Sequence, residues 1–147
     1  MAGILRDGFQ TWIQFQANGT IFVLDHAREK TVTPPGYDAG GPIDTTSMRN
    51  TRFRTRYPKA LITLTDMTLT VEYAVEALEE IFGLLGDNNL ITVFYPDGSE
   101  ESFYGYLDKF QPQEMREGEQ PLATITIVPT NVHPTFDTEE APIFALV

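Results

Sequence analysis

The sequence LITVFYPDGSEESFYGYLDKF, residues 90–110, contains two strand-like stretches on either side of a turn signal. Pro96 sets φ for the turn, and Gly98 accepts the positive φ that such turns often need. Residues 90–95 and 102–110 are therefore predicted to be neighbouring antiparallel strands. This strand pair indicates an antiparallel sheet.

Strand signals continue on both sides of this pair. Asn18-Gly19 favours a tight hairpin turn. In residues 122–128 three apolar side chains alternate with Thr124, Thr126 and Val128, as in a strand with one buried face. The sequence thus predicts a mainly β domain over residues 1–147. Further strands are predicted at residues 11–16, 20–25, 60–66, 122–128 and 143–147.

One flanking helix is predicted at residues 70–86. Thr70 is suited to cap the N-terminus, because its hydroxyl can accept a hydrogen bond from a first-turn amide, and Gly86 is suited to the C-terminal cap. The apolar residues have helical spacing, and their common face is expected to cover the sheet. These residues are Val71, Ala74, Val75, Leu78, Ile81, Phe82 and Leu85.

Residues 26–58 show no regular pattern. The triplets Pro34-Pro35-Gly36 and Gly40-Gly41-Pro42 interrupt helices and strands alike. Connections inside a compact domain have a median length of about 4–6 residues, and much longer ones are usually functional or disordered. This segment is therefore predicted to be an extended loop that becomes ordered on a partner.

The net charge of −11 is unevenly distributed. Residues 28–59 hold seven of the ten basic residues and three acidic ones, whereas the rest of the chain holds eighteen acidic residues. A cationic segment on an anionic body is a plausible basis for self-association. The acidic body would repel phosphates, which argues against nucleic-acid binding.

Three arginines, Arg52, Arg54 and Arg56, share one face of an extended segment. One interpretation is a charged edge strand that prevents aggregation. The other is a row of guanidinium groups that meets carboxylates on another subunit. The length of the segment favours the second interpretation.

No catalytic, metal or cofactor site is expected. The chain has no cysteine, and its two histidines, His26 and His133, lack ligand spacing. Nucleophile elbows, P-loops and dinucleotide-binding glycine patterns are absent from the sequence. Glu100 and Glu101 are interpreted as the solvated end of a hairpin. No apolar run approaches the roughly 20 residues that span a bilayer, so no membrane binding is expected.

Two long segments resemble a known family. They are KTVTPPGYDAGGPIDTTSMRNTRFRTRYPKALITLTDMTLTVEY at 30–73 and ITVFYPDGSEESFYGYLDKFQPQEMREGEQPLATITIVPTN at 91–131. Their order of long loop, strand, P-D-G turn, aromatic-glycine strand, acidic loop and threonine-rich strand is similar to that of major tail tube proteins of long-tailed bacteriophages (siphophages). That family is related in fold to type VI secretion tube proteins.

The resemblance implies an antiparallel β-sandwich or half-barrel with one flanking helix. It also implies a virion protein that is assembled in the host cytoplasm. Hexameric rings would stack around a channel through which DNA passes transiently, with the tape measure protein, the tail terminator and distal tail proteins as further partners. The threonines expected to face the lumen are Thr63, Thr65, Thr124 and Thr126. The expected contacts between subunits and rings are Arg28, Lys30, Gly40, Gly41, Pro42, Ile43, Asp44, Met48, Arg49, Arg52, Phe53, Arg54 and Arg56.

Other functions fit parts of the sequence. A tail terminator or completion protein of the same fold would form single rings, and a type VI tube subunit would form a related tube. A carbohydrate-binding β-sandwich would need exposed aromatic side chains, for which Trp12, Tyr104 and Tyr106 are candidates. An enzyme is the least favoured alternative, because no nucleophile and base are paired in the sequence.

Overall fold

The computed structural model describes residues 11–17, 20–23 and 28–146. It is mainly β, with a curled antiparallel half-barrel sheet and one helix in the described part, which confirms the predicted fold class. The elements in chain order are β1 (Trp12–Ala17), β2 (Thr20–Val23), β3 (Glu29–Thr33), β4 (Tyr37–Asp38), β5 (Pro42–Asp44), β6 (Arg56–Pro58), β7 (Thr63–Leu64), β8 (Met67–Glu72), α1 (Val75–Phe82), β9 (Asn89–Phe94), β10 (Glu100–Pro112), β11 (Leu122–Pro129) and β12 (Ile143–Ala145).

The main sheet has the strand order β2-β1-β9-β10-β11-β8-β3, and β12 pairs with the start of β10. The predicted β9–β10 hairpin is confirmed, with the Tyr95 amide donating to the Ser99 carbonyl over 3.0 Å. Strands β1 and β2 also pair as predicted, although Asn18-Gly19 lies outside the described residues.

One face of this sheet carries the hydrophobic core. Alternate residues of each central strand point into it, and Ala77 and Ile81 of α1 cover part of it. Full burial of one Val, Leu, Ile, Phe or Met side chain stabilises the folded state by about 1.5–3 kcal/mol. The fully buried strand residues include Ile13, Phe15, Met67, Val71, Ile91, Val93, Phe103, Leu107, Ile125 and Ile127.

Strand β10 contains two features that curve the sheet. A Cβ on Gly105 would lie 2.8 Å from the carbonyl oxygen of Val128, so this close approach requires glycine. Between Leu107 and Lys109 the register with β11 shifts, which marks a β-bulge. Bulges increase the local twist of a strand and bend it.

The predicted bounds of the helix were wrong at both ends. Thr70 belongs to strand β8, where it pairs with Thr124 of β11, and α1 begins only at Val75. Pairing with β11 and β3 satisfies the backbone of residues 67–72 and buries Val71, so these residues join the sheet instead of extending the helix. The helix ends at Phe82, before Gly83.

The prediction that residues 26–58 lack regular structure was also wrong. Strand β3 lies in the main sheet beside β8, and a hairpin follows it. We call residues 34–66 the arm: β4 pairs with β7 at its base, and β5 pairs with β6 farther out. Gly40 and Gly41, at φ of 85° and 80°, connect β4 to β5. Pro42 and Pro58 face each other in this two-stranded ladder. Proline has no N–H to donate, and it is tolerated here because both strands are edge strands.

Glu101 attaches the arm to the sheet, and its interpretation as a solvated residue was wrong. Its side chain lies on the core face and is 5% exposed. The hydroxyl groups of Tyr37, in the arm, and Tyr95 both donate hydrogen bonds to its carboxylate. Burial, together with this carboxylate, raises the pKa of both tyrosines above its ordinary value.

Removal of the buried carboxylate should destabilise the protein. In Glu101→Ala the two hydroxyls lose their shared acceptor, and we expect the free energy of unfolding to fall by about 1–3 kcal/mol. Urea denaturation followed by circular dichroism measures this. The control is Glu100→Ala on the opposite sheet face, with an expected change within about 0.5 kcal/mol. Equal changes in the two variants would contradict the assigned role.

The raised tyrosine pKa values predict a loss of stability in alkali. In the unfolded chain Tyr37 and Tyr95 ionise near the ordinary pKa of about 10, whereas the folded chain retains their protons to higher pH. The unfolded state therefore binds fewer protons, and stability that is complete below pH 10 decreases as the pH rises further. Denaturation series between about pH 8 and pH 11 should show a flatter decline in Tyr37→Phe/Tyr95→Phe than in the wild type. An unchanged slope would refute this.

Candidate assembly surfaces

The arm exposes large apolar side chains. Met48 is fully exposed, and Phe53 and Leu61 are 77% and 81% exposed. Ile43 and Tyr57 add apolar surface along β5 and β6. Several large apolar side chains exposed on one projecting hairpin are typical of an interaction surface.

The arm's outer end, residues 45–55, which we call the tip, is held by its own hydrogen bonds. The Thr45 amide donates to the Thr55 carbonyl over 3.0 Å, and the Asn50 side-chain amide donates to the Phe53 carbonyl over 2.7 Å. The Thr55 amide donates to the Thr46 hydroxyl over 3.0 Å. The tip thus has a defined shape within one chain, contrary to the expectation that a partner must order it.

The tip is cationic. Residues 45–55 hold three basic residues, Arg49, Arg52 and Arg54, and no acidic one. The Arg52 guanidinium lies 5.9 Å from the centre of the Phe53 ring, and Arg54 forms an exposed ion pair of 3.8 Å with Asp44. Hydrogen bonds from Thr46 lower the pKa of Asp44. The tip therefore presents aromatic and apolar surface beside positive charge.

Most of the predicted contact residues lie together in the arm, but Arg28 and Lys30 do not. Lys30 forms an ion pair of 3.4 Å with Glu72 in the main sheet, and the Arg28 carbonyl accepts a hydrogen bond from the Glu72 amide. Those in the arm are Gly40, Gly41, Pro42, Ile43, Asp44, Met48, Arg49, Arg52, Phe53, Arg54 and Arg56. Their role in contacts between subunits stays a prediction.

The sheet face opposite the core carries two cross-strand rows of threonines. Thr124 and Thr126 lie on it, but Thr63 and Thr65 lie in the arm, where Thr65 pairs with Gly36. The set predicted to line a lumen is therefore divided between two places. The rows across β3, β8 and β11 are Thr31–Thr70–Thr124 and Thr33–Thr68–Thr126. The sequence did not predict Thr68 and Thr70 on this face, because it placed residues 67–69 in a loop and residues 70–72 in the helix.

The outer face of α1 carries a further apolar strip. Val75 and Phe82 are 65% and 71% exposed, and Leu78 lies between them at 38%. The expectation that these three residues cover the sheet was wrong, since Ala77 and Ile81 contact it instead. At 3.6 residues per turn, Val75 and Phe82 lie on a different side of the helix from Ala77 and Ile81, so both pairs cannot face the sheet.

Polar side chains line one cavity in the described part of the chain. A cavity of about 390 Å³ is lined by Asp87, Asn88, His133 and Asp137. His133 accepts hydrogen bonds at Nδ1 from the backbone amides of Thr135 and Phe136. Among residues 11–17, 20–23 and 28–146 no three His, Asp or Glu side chains are placed to hold a metal ion. Within the same residues no helix is long and apolar enough to cross a bilayer. His26 lies outside the described residues.

The aromatic residues considered for carbohydrate binding, Trp12, Tyr104 and Tyr106, lie at alternate strand positions on the sheet face opposite the core. The Trp12 ring stacks on Phe94 with centroids 4.1 Å apart and an angle of 10° between their planes. Tyr104 packs against His133 at 5.3 Å. One face of the Trp12 ring is thereby covered by Phe94.

Comparison with known proteins gives a clear result for structure and none for sequence. No protein-family model matches the chain, and no curated protein matches it. A chain from the tail of an empty gene transfer agent particle, solved with C6 symmetry, is 13% identical with a TM-score of 0.65, covering 95% of this chain and 98% of that one.

Two other solved structures extend the likeness. A chain of the six-fold symmetrised anti-feeding prophage baseplate is 7% identical with a TM-score of 0.61, covering 99% of this chain and 97% of that one. The crystal structure of an Hcp protein is 8% identical with a TM-score of 0.52, covering 90% and 97%. Likeness at such identity concerns the fold, and this chain therefore has the tail-tube fold that its sequence resembles.

Proposed function

We propose that this chain is the structural subunit of a siphophage tail tube, in which hexameric rings stack around a channel for DNA. The observation that carries the proposal is the arm, an ordered hairpin that exposes Met48 and Phe53 among arginines. A lone chain gains nothing from apolar side chains held in water on an ordered hairpin. A second copy with an acidic body would cover them.

Six-fold rings are supported by the symmetry of the similar particles. The gene transfer agent tail was solved with C6 symmetry, and the anti-feeding prophage baseplate was symmetrised six-fold. In this chain both edges of the main sheet, β2 and β3, end without a further strand among the described residues. Unpaired edges pair readily with another chain, so ring closure would join these two edges.

The threonine rows suit the wall of the channel. Their hydroxyl groups are neutral and well hydrated, so they offer DNA phosphates no fixed positive charge. Glu72 and Lys109 are charged side chains at register positions on the same face. The acidic character of the chain as a whole would keep DNA mobile during its passage.

In this proposal the chain is not an enzyme and acts by assembly. Tubes form in the host cytoplasm around the tape measure protein, end at the tail terminator and the distal tail proteins, and leave the cell as part of the virion. A tail terminator or completion protein of the same fold would give single rings, so polymerisation into long tubes separates these functions.

A type VI tube subunit is the second candidate, favoured by the likeness to Hcp over 97% of that chain. Both functions use stacked rings, and they differ in what passes through the channel. Purification of assembled virions and identification of this chain in their tails would support the phage function over the type VI function.

Removal of the arginine row should prevent stacking without unfolding the chain. In Arg52→Ala/Arg54→Ala/Arg56→Ala we expect a folded protein that forms no tubes, because charge at the arm is lost while the core is untouched. Negative-stain electron microscopy counts the tubes, and circular dichroism monitors the fold.

The control is Arg116→Ala, which removes an exposed positive charge outside the arm and should leave tubes intact. Tubes of the triple variant at wild-type abundance would show that the arginine row is dispensable.

A further inference from the structure

A groove lies where the arm meets the rest of the chain. Its volume is about 420 Å³, which is within the range of sites that bind organic groups. Leu61 and Ile62 of the arm and Phe144 of β12 line it, and these side chains are 81%, 65% and 54% exposed. We call this site the base groove.

The base groove also has a polar, acidic rim. Glu139 and Glu140 line it, and neither belongs to the ion pairs formed among the described residues. Asn131, which also lines it, has a side-chain oxygen that is buried and has no hydrogen-bond partner among those residues. A buried acceptor without a donor is unfavourable by about 1–3 kcal/mol. The groove is therefore suited to an occupant that has apolar surface, positive charge and hydrogen-bond donors.

The tip of the arm has these three properties. Phe53 is an exposed aromatic side chain, and Arg52 lies against its ring. Arg49 and Arg54 add positive charge, and each guanidinium group carries five N–H donors. Aromatic side chains and arginine are also the residues that most often dominate the binding energy of protein interfaces.

We propose that the tip of one copy occupies the base groove of another copy, with Phe53 against Leu61, Ile62 and Phe144. The arginines then face Glu139 and Glu140 and donate hydrogen bonds to their carboxylates. This inference rests on the proposed function and names the acceptor site for the arm.

The occupant must come from a second copy, because a chain cannot fill its own groove in this way. Tyr37 pairs with Leu64 at the base, and Asp44 pairs with Arg56 seven residues farther out. Strands β5 and β6 are exposed and pair only with each other among the described residues, and no residue of the tip lines the groove of its own chain. The contact joins two different surfaces, so it can repeat from copy to copy without closing on itself.

Cysteine cross-linking tests the contact directly, because the natural chain has no cysteine. In Met48→Cys/Ala141→Cys one cysteine lies on the tip and the other at the groove. Mild oxidation of assembled tubes should give a ladder of covalent multimers on a non-reducing gel. The control Met48→Cys/Ala74→Cys, whose second cysteine lies beside the apolar strip of α1, should give none.

The outcomes separate the two proposals. Tubes of Met48→Cys/Ala141→Cys that give no ladder would overturn the groove contact and leave the tube function intact. A ladder from the Ala74→Cys control instead would place the tip on α1 and would equally overturn it. Failure of the wild-type chain to form any ring or tube would overturn both proposals.

Charge reversal provides a second test that does not depend on disulfide geometry. Arg52→Glu alone, and Glu139→Lys/Glu140→Lys alone, should each raise the protein concentration needed for tube formation by about tenfold or more, because like charges then meet. The two sets combined should restore assembly substantially. Glu114→Lys/Glu117→Lys, in the loop after β10, should not rescue Arg52→Glu. Rescue by this control, or none by the groove set, would overturn the contact.

Discussion

The carboxylate of Glu101 is shared by Tyr37 and Tyr95, and this interaction connects the arm to the main sheet. Tyr95 belongs to the β9–β10 turn region, whereas Tyr37 begins the arm. Phe144 of β12 packs on Tyr37 with ring centroids 6.2 Å apart. Because a buried carboxylate needs its donors, the base of the arm is held in one orientation over the sheet. A projecting hairpin can meet a partner at a defined place only if its base is fixed in this way.

Side chains alternate between the two faces of the main sheet along each strand, and the two faces therefore differ in chemistry. Within β11, Ile125 and Ile127 point into the core, while Thr124 and Thr126 point away from it. Strand β8 repeats this pattern, so hydroxyl groups lie opposite one another across neighbouring strands. The apolar side chains of the core face are buried within one chain, against each other and against Ala77 and Ile81 of α1. The threonine face instead stays open to water, which is what a channel wall requires and what a sandwich core would exclude.

The sequence was informative where structure is local. The P-D-G turn at residues 96–98 and the alternation in residues 122–128 predicted strands that exist, and the chemistry of the arm was visible as a charge cluster. It was uninformative where distant strands compete for the same residues. Val71 fits an apolar helix face as well as a strand, and only its pairing with Ala123 and Glu29 decides between them. Glu101 was missed because its tyrosine partners lie 64 and 6 residues away.

The preformed arm changes the energetics of assembly. Ordering one residue of a flexible chain is unfavourable by about 1–2 kcal/mol, so a loop of some twenty residues that folded only on docking would lose tens of kcal/mol of its interaction energy. Here Thr45, Asn50 and Thr55 already hold the tip through their hydrogen bonds. The folding of each chain supplies that order, and the free energy of contact between copies is available for association. In the proposed tube, a rigid arm would therefore allow a modest interface to assemble many copies.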